Sequence, residues 1–175
     1  MASGALLDTS FLITLADRNR PHHEAAKRYW KHFLENQVPI YLSTIVLSEF
    51  SVKQALPPEI MRVCIQTPFN HEHALKSATL YAVRSQGQSG QRDSIKDDFK
   101  LIAQAELVPV AYLVTDDSET MFKYCQQFRE MKLVTFKPIK LEDGFELSFL
   151  APDGQREIED HLQSMKLRRR FAINE

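Results

Sequence analysis

Hydrophobic residues along the chain alternate between short continuous runs and helix-spaced stripes, and this pattern predicts strands that alternate with helices. The runs that predict strands cover residues 5–7, 38–42, 110–114 and 132–136. Between them, apolar residues recur three and four positions apart, which is typical of helices with one buried face. Strands that alternate with helices form parallel sheets covered by helices on both faces. We therefore predict an α/β fold with three layers, α/β/α, around a central, mostly parallel sheet.

Capping and breaking residues place the helices between these runs. Thr9 or Ser10 is placed to cap the first helix, Ser43 or Thr44 a later one, and Asn70 a long one. The predicted helices cover residues 11–16, 22–36, 44–52, 59–66, 71–86, 95–105 and 118–128. After the last run, residues 145–154 predict a strand and turn, and residues 156–170 a helix with a basic end.

The composition is that of an ordinary globular protein. Of the 175 residues, 43% are hydrophobic and 26% are charged, and the net charge of −1 gives no overall field that attracts nucleic acid or membrane. The two cysteines do not indicate a disulfide framework, which favours a reducing, cytoplasmic setting. We expect no signal peptide and no membrane contact, because the N-terminus lacks a basic segment and no apolar run is long enough to span a bilayer.

One acidic residue falls on the apolar side of a predicted helix. Leu101 and Ala105 belong to the apolar stripe of that helix, and Asp98 lies in the same stripe, three residues before Leu101. A buried carboxylate is costly unless it is paired or holds a cation. The neighbouring Asp97 lies on the opposite face and, with Ser94, fits a capping box in form. Asp98 is therefore a candidate for chemistry, whereas Asp97 has a structural explanation.

Further acids follow predicted strands, where parallel-sheet proteins place their ligands. Asp8 follows the first predicted strand, and Asp116 and Asp117 follow the third; ligands of open α/β sheets bind at this carboxyl edge. Glu49 lies four residues after Ile45, which places it on the side of its helix that carries apolar residues. Each acid alone has a structural alternative, since Asp8, Asp116 and Asp117 are also placed to cap helices.

Taken together, the acids predict a cation site. Asp8, Glu49, Asp98 and Asp117 would repel one another in a shared pocket and stay protonated unless a cation balanced them. Hard oxygen ligands suit Mg²⁺ or Mn²⁺, and no cluster of histidine and cysteine competes for zinc. Such a site activates water and stabilises an in-line displacement at phosphorus. The expected chemistry is that of a nuclease.

Four segments of the sequence resemble, in order, those of PIN-domain ribonucleases of the VapC toxin type. They are LLDTSFL near the start, YLSTIVLSEF, KDDFKLIAQA and YLVTDDSE, and they run through all four acids within about the first 136 residues. The resemblance implies a small α/β/α fold that binds Mg²⁺ or Mn²⁺ at the acids and cleaves single-stranded or structured RNA. It also implies two partners, an antitoxin protein and a second copy in a homodimer.

Carried over motif by motif, the resemblance assigns the metal-binding and catalytic roles to Asp8, Glu49, Asp98 and Asp117. Asp98 opens the pattern D-x-x-L-x-A-x-A, and Asp117 ends the pattern T-x-D. Five further residues take supporting positions around these acids: Thr9, Ser10, Asp97, Thr115 and Asp116.

The resemblance covers the chain to about residue 137, which divides it into a PIN-like nuclease domain, residues 1–137, and a C-terminal extension, residues 138–175. The extension has no role in the family. It contains one basic cluster, which is either a solvated helix end or an RNA contact: Lys166, Arg168, Arg169 and Arg170. Two other functions stay open, a PIN-fold scaffold that binds protein or RNA without cutting, and a DNA nuclease with the same site.

Overall fold

The computed structural model of the protein describes residues 4–85 and 94–151, apart from the side chains of Ser85, Ser94 and Ile95. The strands are β1 (Gly4–Leu7), β2 (Ile40–Ser43), β3 (Cys64–Thr67), β4 (Val110–Thr115) and β5 (Lys137–Lys140). The helices are α1 (Thr9–Ala16), α2 (His23–Glu35), α3 (Thr44–Ser51), α4 (Pro58–Val63), α5 (His71–Ser85), α6 (Ser94–Leu107) and α7 (Met121–Glu130). Strands and helices thus alternate along most of the described chain.

The strands form one parallel sheet in the order β3-β2-β1-β4-β5, and helices flank it. This confirms the predicted three-layer α/β/α class. Strand β1 lies in the centre of the sheet. The chain adds β2 and then β3 on one side of β1, and then adds β4 and β5 on the other side, so the strand order reverses at β1. In open parallel sheets this reversal opens a crevice at the carboxyl ends of the central strands. Leu7 of β1 pairs with Val114 of β4, which brings Asp8 beside Thr115.

The central strand is buried on both faces, as in other parallel sheets. Ala5, Leu6 and Leu7 are all buried, and the core around them is rich in fully buried phenylalanines. Gly4 opens β1 because no larger residue fits there. A Cβ atom on Gly4 would lie 2.5 Å from the carbonyl oxygen of Pro39 and 2.6 Å from the Tyr41 ring.

One helix prediction and one strand prediction were wrong. Residues 64–66 were expected to end a helix, but α4 stops at Val63 and residues 64–67 pair with β2 as the edge strand β3. The run at 132–136 was expected to be a strand, and the strand lies after it, at 137–140. Lys132 has a φ of 57°, and Leu133 N–H donates to the Phe128 carbonyl over 2.8 Å. This bond and the left-handed residue before it form a Schellman motif that ends α7.

The helix caps were predicted in part. Ser43 Oγ accepts from Ile45 N over 3.0 Å, and Asn70 Oδ1 accepts from His73 N over 3.0 Å, as expected for caps at these positions. For α1 the prediction was wrong, because α1 begins at Thr9 and its N-cap is Asp8, which accepts from Phe11 N. Asp8 therefore does cap a helix, which was its structural alternative, and the same carboxylate is the first of the candidate acids.

The first compact unit runs to Phe145, so β5 and the 3₁₀ turn after it continue this unit past the predicted boundary at residue 137. A second unit starts at Glu146; its described part is a 3₁₀ turn at Leu147–Leu150, where a strand was expected. The predicted helix at 156–170, with its basic cluster, lies outside the described residues, and a role for the extension stays a prediction. None of the helices in residues 4–85 and 94–151 has the length and hydrophobicity needed to cross a bilayer.

Candidate acidic site at the carboxyl edge of the sheet

Two of the four candidate acids lie just after the carboxyl ends of two adjacent strands. Asp8 joins β1 to α1, and Asp117 follows β4 by two residues. The hydroxyl of Thr115, the last residue of β4, donates to Asp8 Oδ2 over 2.6 Å and accepts from Asp117 N over 2.9 Å. Ser10 Oγ lies 2.9 Å from both Asp8 oxygens and accepts from Asp116 N over 2.7 Å. Thr115 and Ser10 thus hold the ends of β1 and β4 together.

Asp8 is the most buried of the four acids, with 4% of its surface exposed. Burial raises its pKa to about 6, and the nearby charge of Asp117 adds to this rise. Hydrogen bonds from Thr115, Phe11 and Ser10 stabilise the charged form and lower the pKa in part. Asp8 therefore carries a carboxylate whose ionisation is opposed mainly by loss of water.

Asp98 projects from α6 and is half-buried. Burial raises its pKa to about 7, and the charges of Asp117, Asp8 and Glu49 raise it further, in that order. Since each of these three acids acts on Asp98 through its charge, all four share one electrostatic environment. The structure thus brings together the four acids that the pattern of the sequence singled out.

Asp117 is stabilised as the charged member of the group. Partial burial acts to raise its pKa, but the hydrogen bonds that it accepts outweigh burial and hold the pKa below its usual value. Its Oδ1 accepts from the backbone N–H groups of Glu119, over 2.9 Å, and Thr120, over 2.8 Å, and its Oδ2 accepts from the Thr120 hydroxyl. The turn before α7 therefore fixes this carboxylate.

Glu49 reaches the group from an exposed position on α3. The expectation that it lies on the apolar side of its helix was wrong, because the buried face of α3 consists of Val46 and Phe50, and Val52 is 82% exposed. The Glu49 carboxylate accepts a hydrogen bond from the hydroxyl of Thr9, the first residue of α1. This contact joins α3 to α1 at the rim of the acid group.

Comparisons with known proteins agree with this architecture. The model of the PIN domain family matches residues 5–62, the part of the chain from β1 to α4. VapBC2 from Rickettsia felis, solved with a DNA fragment from its promoter, superposes with a TM-score of 0.54 at 14% identity, over 77% of this chain and 97% of that one. FitAcB from Neisseria gonorrhoeae superposes with a TM-score of 0.51 at 21% identity, over 69% of this chain and 92% of that one.

The chain has the PIN fold. The predicted resemblance to PIN-domain proteins of the VapC type is thereby confirmed at the level of the fold. No curated protein matches the sequence.

Asp116, the acid between Thr115 and Asp117 in this PIN fold, faces away from the other acids. Its side chain is 4% exposed and accepts from Thr14 Oγ1 over 2.5 Å and from Arg20 Nη2 over 3.3 Å, and His22 Nδ1 lies 2.6 Å away. These partners lie on α1 and in the turn before α2. Asp116 thus anchors that turn to the end of β4.

Asp97 is also separate from the acid group. Its carboxylate forms an ion pair with Lys100 on the same helix, at 2.6 Å, and both side chains are partly exposed. Of the supporting residues that the sequence predicted, Thr9 bonds to the Glu49 carboxylate, and Ser10 and Thr115 bond to that of Asp8. Asp97 instead pairs along its own helix, and Asp116 contacts α1.

Thr120 lies in the site but was not predicted from the sequence. Its hydroxyl donates to Asp117, and a hydrogen bond from its side chain also lowers the pKa of Asp98. Thr120 therefore bridges the acid from β4 and the acid from α6. The signal in the sequence is its spacing, because a threonine three residues after an aspartate that ends a strand is placed to complete a capping turn.

The chemistry of this set of oxygen atoms fits a hard divalent cation. Carboxylates and hydroxyl groups are the ligands that Mg²⁺ and Mn²⁺ prefer. In the described parts of the chain, no three His, Cys, Asp or Glu side chains converge closely enough to hold an ion as they stand. Each of three acids is instead turned onto a hydroxyl group: Asp8 onto Thr115, Glu49 onto Thr9 and Asp117 onto Thr120.

Proposed function

We propose that the protein is a metal-dependent endoribonuclease in which Asp8, Glu49, Asp98 and Asp117 hold Mg²⁺ or Mn²⁺. The observation that carries the proposal is the environment of Asp98, whose pKa is raised to about 7 by burial and by the charges of the three other acids. An arrangement that makes ionisation this costly is uncommon unless it serves a site, and a divalent cation would offset the cost. The match of residues 5–62 to the PIN domain supports a nuclease.

The residues of the chain have separable roles in this proposal. Asp8 and Asp117 follow the ends of adjacent strands. The Thr115 hydroxyl fixes Asp8 and the Thr120 hydroxyl fixes Asp117, so these two acids form the rigid part of the site. Asp98, whose pKa is raised to about 7, is only partly ionised near neutral pH and would lose its remaining proton as a cation binds, since ligand carboxylates must be deprotonated. A bound divalent cation lowers the pKa of water and stabilises charge on a phosphoryl oxygen.

RNA as substrate, an antitoxin as partner and a homodimer are part of the same proposal. They are supported by the four sequence segments that resemble VapC toxins. The proposal also places the protein in the cytoplasm. The net charge of −1 means that RNA would be attracted by local contacts and by the cation rather than by the protein as a whole. The basic cluster Lys166, Arg168, Arg169 and Arg170 is a further candidate for such contacts.

The first experiment combines Mn²⁺ titration calorimetry with cleavage of single-stranded RNA. We expect the wild-type protein to bind Mn²⁺ and cut RNA. Asp98→Asn and Asp8→Asn should each lose Mn²⁺ binding and reduce the rate of RNA cleavage by a factor of roughly a hundred or more. Circular dichroism should show an unchanged fold in each variant. Asp97→Asn is the matched control, because Asp97 adjoins Asp98 on α6 but pairs with Lys100, and it should behave as wild type.

Undiminished cleavage by Asp98→Asn or Asp8→Asn would overturn the assignment of the site. A wild-type protein that binds RNA but neither takes up Mn²⁺ nor cuts would identify a binding scaffold. The same sequence supplied as single-stranded DNA separates the two nuclease classes, since cleavage of DNA but not of RNA would identify a DNA nuclease with the same acids.

A further inference from the structure

A cleft between α1 and α3 opens directly beside the acid group. It has a volume of about 540 Å³, within the range of clefts that hold small ligands. Its lining includes Thr9, Ile13, Glu49, Phe50, Lys53 and Gln54. Because Thr9 and Glu49 are also partners at the rim of the acid group, whatever occupies the cleft lies next to the proposed reaction centre.

The cleft has an apolar part and a polar part. Ile13 and Ala16 on α1 contribute apolar surface, whereas Phe50 on α3 also lines the cleft but is only 2% exposed. Asp17, at the end of α1, and Lys53 and Gln54, just after α3, contribute a carboxylate, a cation and an amide. An unpaired nucleotide has the same division, with flat apolar faces on its base, hydrogen-bonding groups at the base edge and an anionic phosphate.

We propose that this cleft is a base-recognition subsite that receives one unpaired nucleotide of the RNA, next to the phosphate to be cut. The proposal rests on the proposed function, because the position of the scissile phosphate is that of the acid group. Ile13 and Ala16 on α1 cover the face of the base, Gln54 and Asp17 form hydrogen bonds with its edge, and Lys53 pairs with a phosphate. The subsite would therefore set the sequence preference of the enzyme.

The lining favours a nucleotide over a segment of another protein. Glu49 in the lining belongs to the acid group, so the occupant must tolerate a neighbouring cation site, as a phosphate does. Lys53 adds a positive charge to the lining, which complements an RNA phosphate. A protein segment that enters the same cleft is retained as an outcome of the experiment.

The experiment measures the affinity of the full chain for four homopolymeric single-stranded oligoribonucleotides by fluorescence anisotropy. All proteins carry Asp98→Asn to prevent cleavage. We expect one homopolymer to bind best. Adding Ala16→Trp, which fills the cleft from α1, should weaken that homopolymer roughly tenfold and bring the four affinities close together. The control is Val52→Trp, since Val52 is exposed beside the cleft but does not line it, and it should change nothing.

Two smaller changes divide the roles within the cleft. Gln54→Ala, at an exposed residue whose loss does not threaten the fold, should reduce the preference between bases. Lys53→Ala should weaken all four homopolymers by the same factor, because a phosphate contact carries no sequence information. With Asp98 intact, Ala16→Trp should leave Mn²⁺ affinity as in wild type.

Failure of this inference is distinguishable from failure of the proposed function. Wild-type protein that binds Mn²⁺ and cuts RNA, together with an Ala16→Trp variant whose four affinities are unchanged, would overturn the subsite and leave the nuclease standing; the cleft would then be open to a protein segment. Absence of any preference among the homopolymers in the parent protein would also overturn it. If the wild type neither binds Mn²⁺ nor cuts, the nuclease is wrong, and a preference abolished by Ala16→Trp would still identify a base-binding cleft.

Discussion

At the scale of single residues, the ionisation of Asp98 links the site to the stability of the protein. Its pKa is about 7 in the folded chain against an ordinary value of 3.8. Below about pH 3 the carboxyl is mostly protonated in both states and contributes almost nothing. As the pH rises to about 7, the unfolded chain ionises while the folded chain keeps its proton, so the free energy of unfolding falls with increasing pH. The metal-free protein is therefore destabilised at neutral pH by Asp98.

This gives a prediction for Asp98→Asn, the change that should abolish activity. In the presence of a chelator at pH 8, we expect the variant to unfold at a higher urea concentration than wild type. The gain should be about 1–2 kcal/mol once the partial exposure of Asp98 is allowed for. At about pH 3 the difference should nearly vanish, because the carboxyl is then mostly protonated in both the folded and the unfolded chain.

Urea denaturation at the two pH values measures this effect, with Asp97→Asn as the control that should match wild type at both. A wild-type protein that is as stable as Asp98→Asn at pH 8 without metal would contradict the electrostatic description of the site. Adding Mn²⁺ should then stabilise the wild type and leave Asp98→Asn unchanged, since only a protein that binds the ion gains from it.

At the scale of elements, the two adjacent aspartates at the end of β4 serve different parts of the fold. Asp117 faces the acid group, and Asp116 faces α1 and the turn before α2, where it meets Thr14, Arg20 and His22. Successive residues point to opposite sides of an extended chain, so one acid reaches the site while its neighbour fixes a helix. The pair therefore couples the position of Asp117 to that of α1.

Asp116→Ala should accordingly reduce stability without removing the metal site. The substitution leaves the Thr14 hydroxyl and the partly buried Arg20 and His22 without their shared acceptor, and we expect a loss of about 2 kcal/mol. Thermal denaturation measures the loss, and calorimetry below the melting transition should show that Mn²⁺ still binds. Glu24→Ala, which removes an exposed ion pair with Lys27 on α2, is the control and should cost less than about 1 kcal/mol. Loss of Mn²⁺ binding by well-folded Asp116→Ala would show that Asp116 acts within the site.

At the scale of the whole molecule, the compact unit that contains the site ends at Phe145. Strand β5 pairs with β4, and Ile139 and Leu141 are buried. The Phe145 ring lies 4.8 Å from that of Tyr29, edge-on, and the guanidinium of Arg28 lies over it at 4.8 Å. Residues beyond the sequence resemblance thus complete the core of the PIN fold.

Two truncations test this boundary. A chain that ends at Ala151 should keep the melting temperature of the full protein and its Mn²⁺ affinity, because the unit with the acid group is intact. A chain that ends at Lys137 removes most of β5 and the buried Ile139 and Leu141, and it should fail to unfold cooperatively. If the chain that ends at Ala151 folds and binds Mn²⁺ but loses RNA affinity, the basic cluster around Arg169 contacts RNA. If the chain that ends at Ala151 does not fold, the boundary is contradicted.

Much of the fold and of the site followed from patterns that are local in the sequence. The alternation of apolar runs and helical stripes predicted the parallel sheet, and Asp98 was recognised because an acid interrupts an apolar stripe on α6. Asp8 and Asp117 were recognised because each follows a strand, and the order of the elements makes such strand ends meet. These features depend on the period of the chain and on its connectivity, both of which can be read without coordinates.

Tertiary contacts decided the rest. Residues 64–67 became β3 because β2 offered an open edge, a partner that the segment itself does not reveal. The exposed Glu49 joins the acids only because α3 lies beside α1 and Thr9, and Asp116 turns away only because Arg20 and His22 lie within reach. The raised pKa of Asp98 requires three charges brought from other elements. The sequence by itself determined which residues are candidates for the chemistry and where strands and helices alternate, since these are local properties. Which acids face one another, and how strongly they interact, depends on distances that only the packed chain sets.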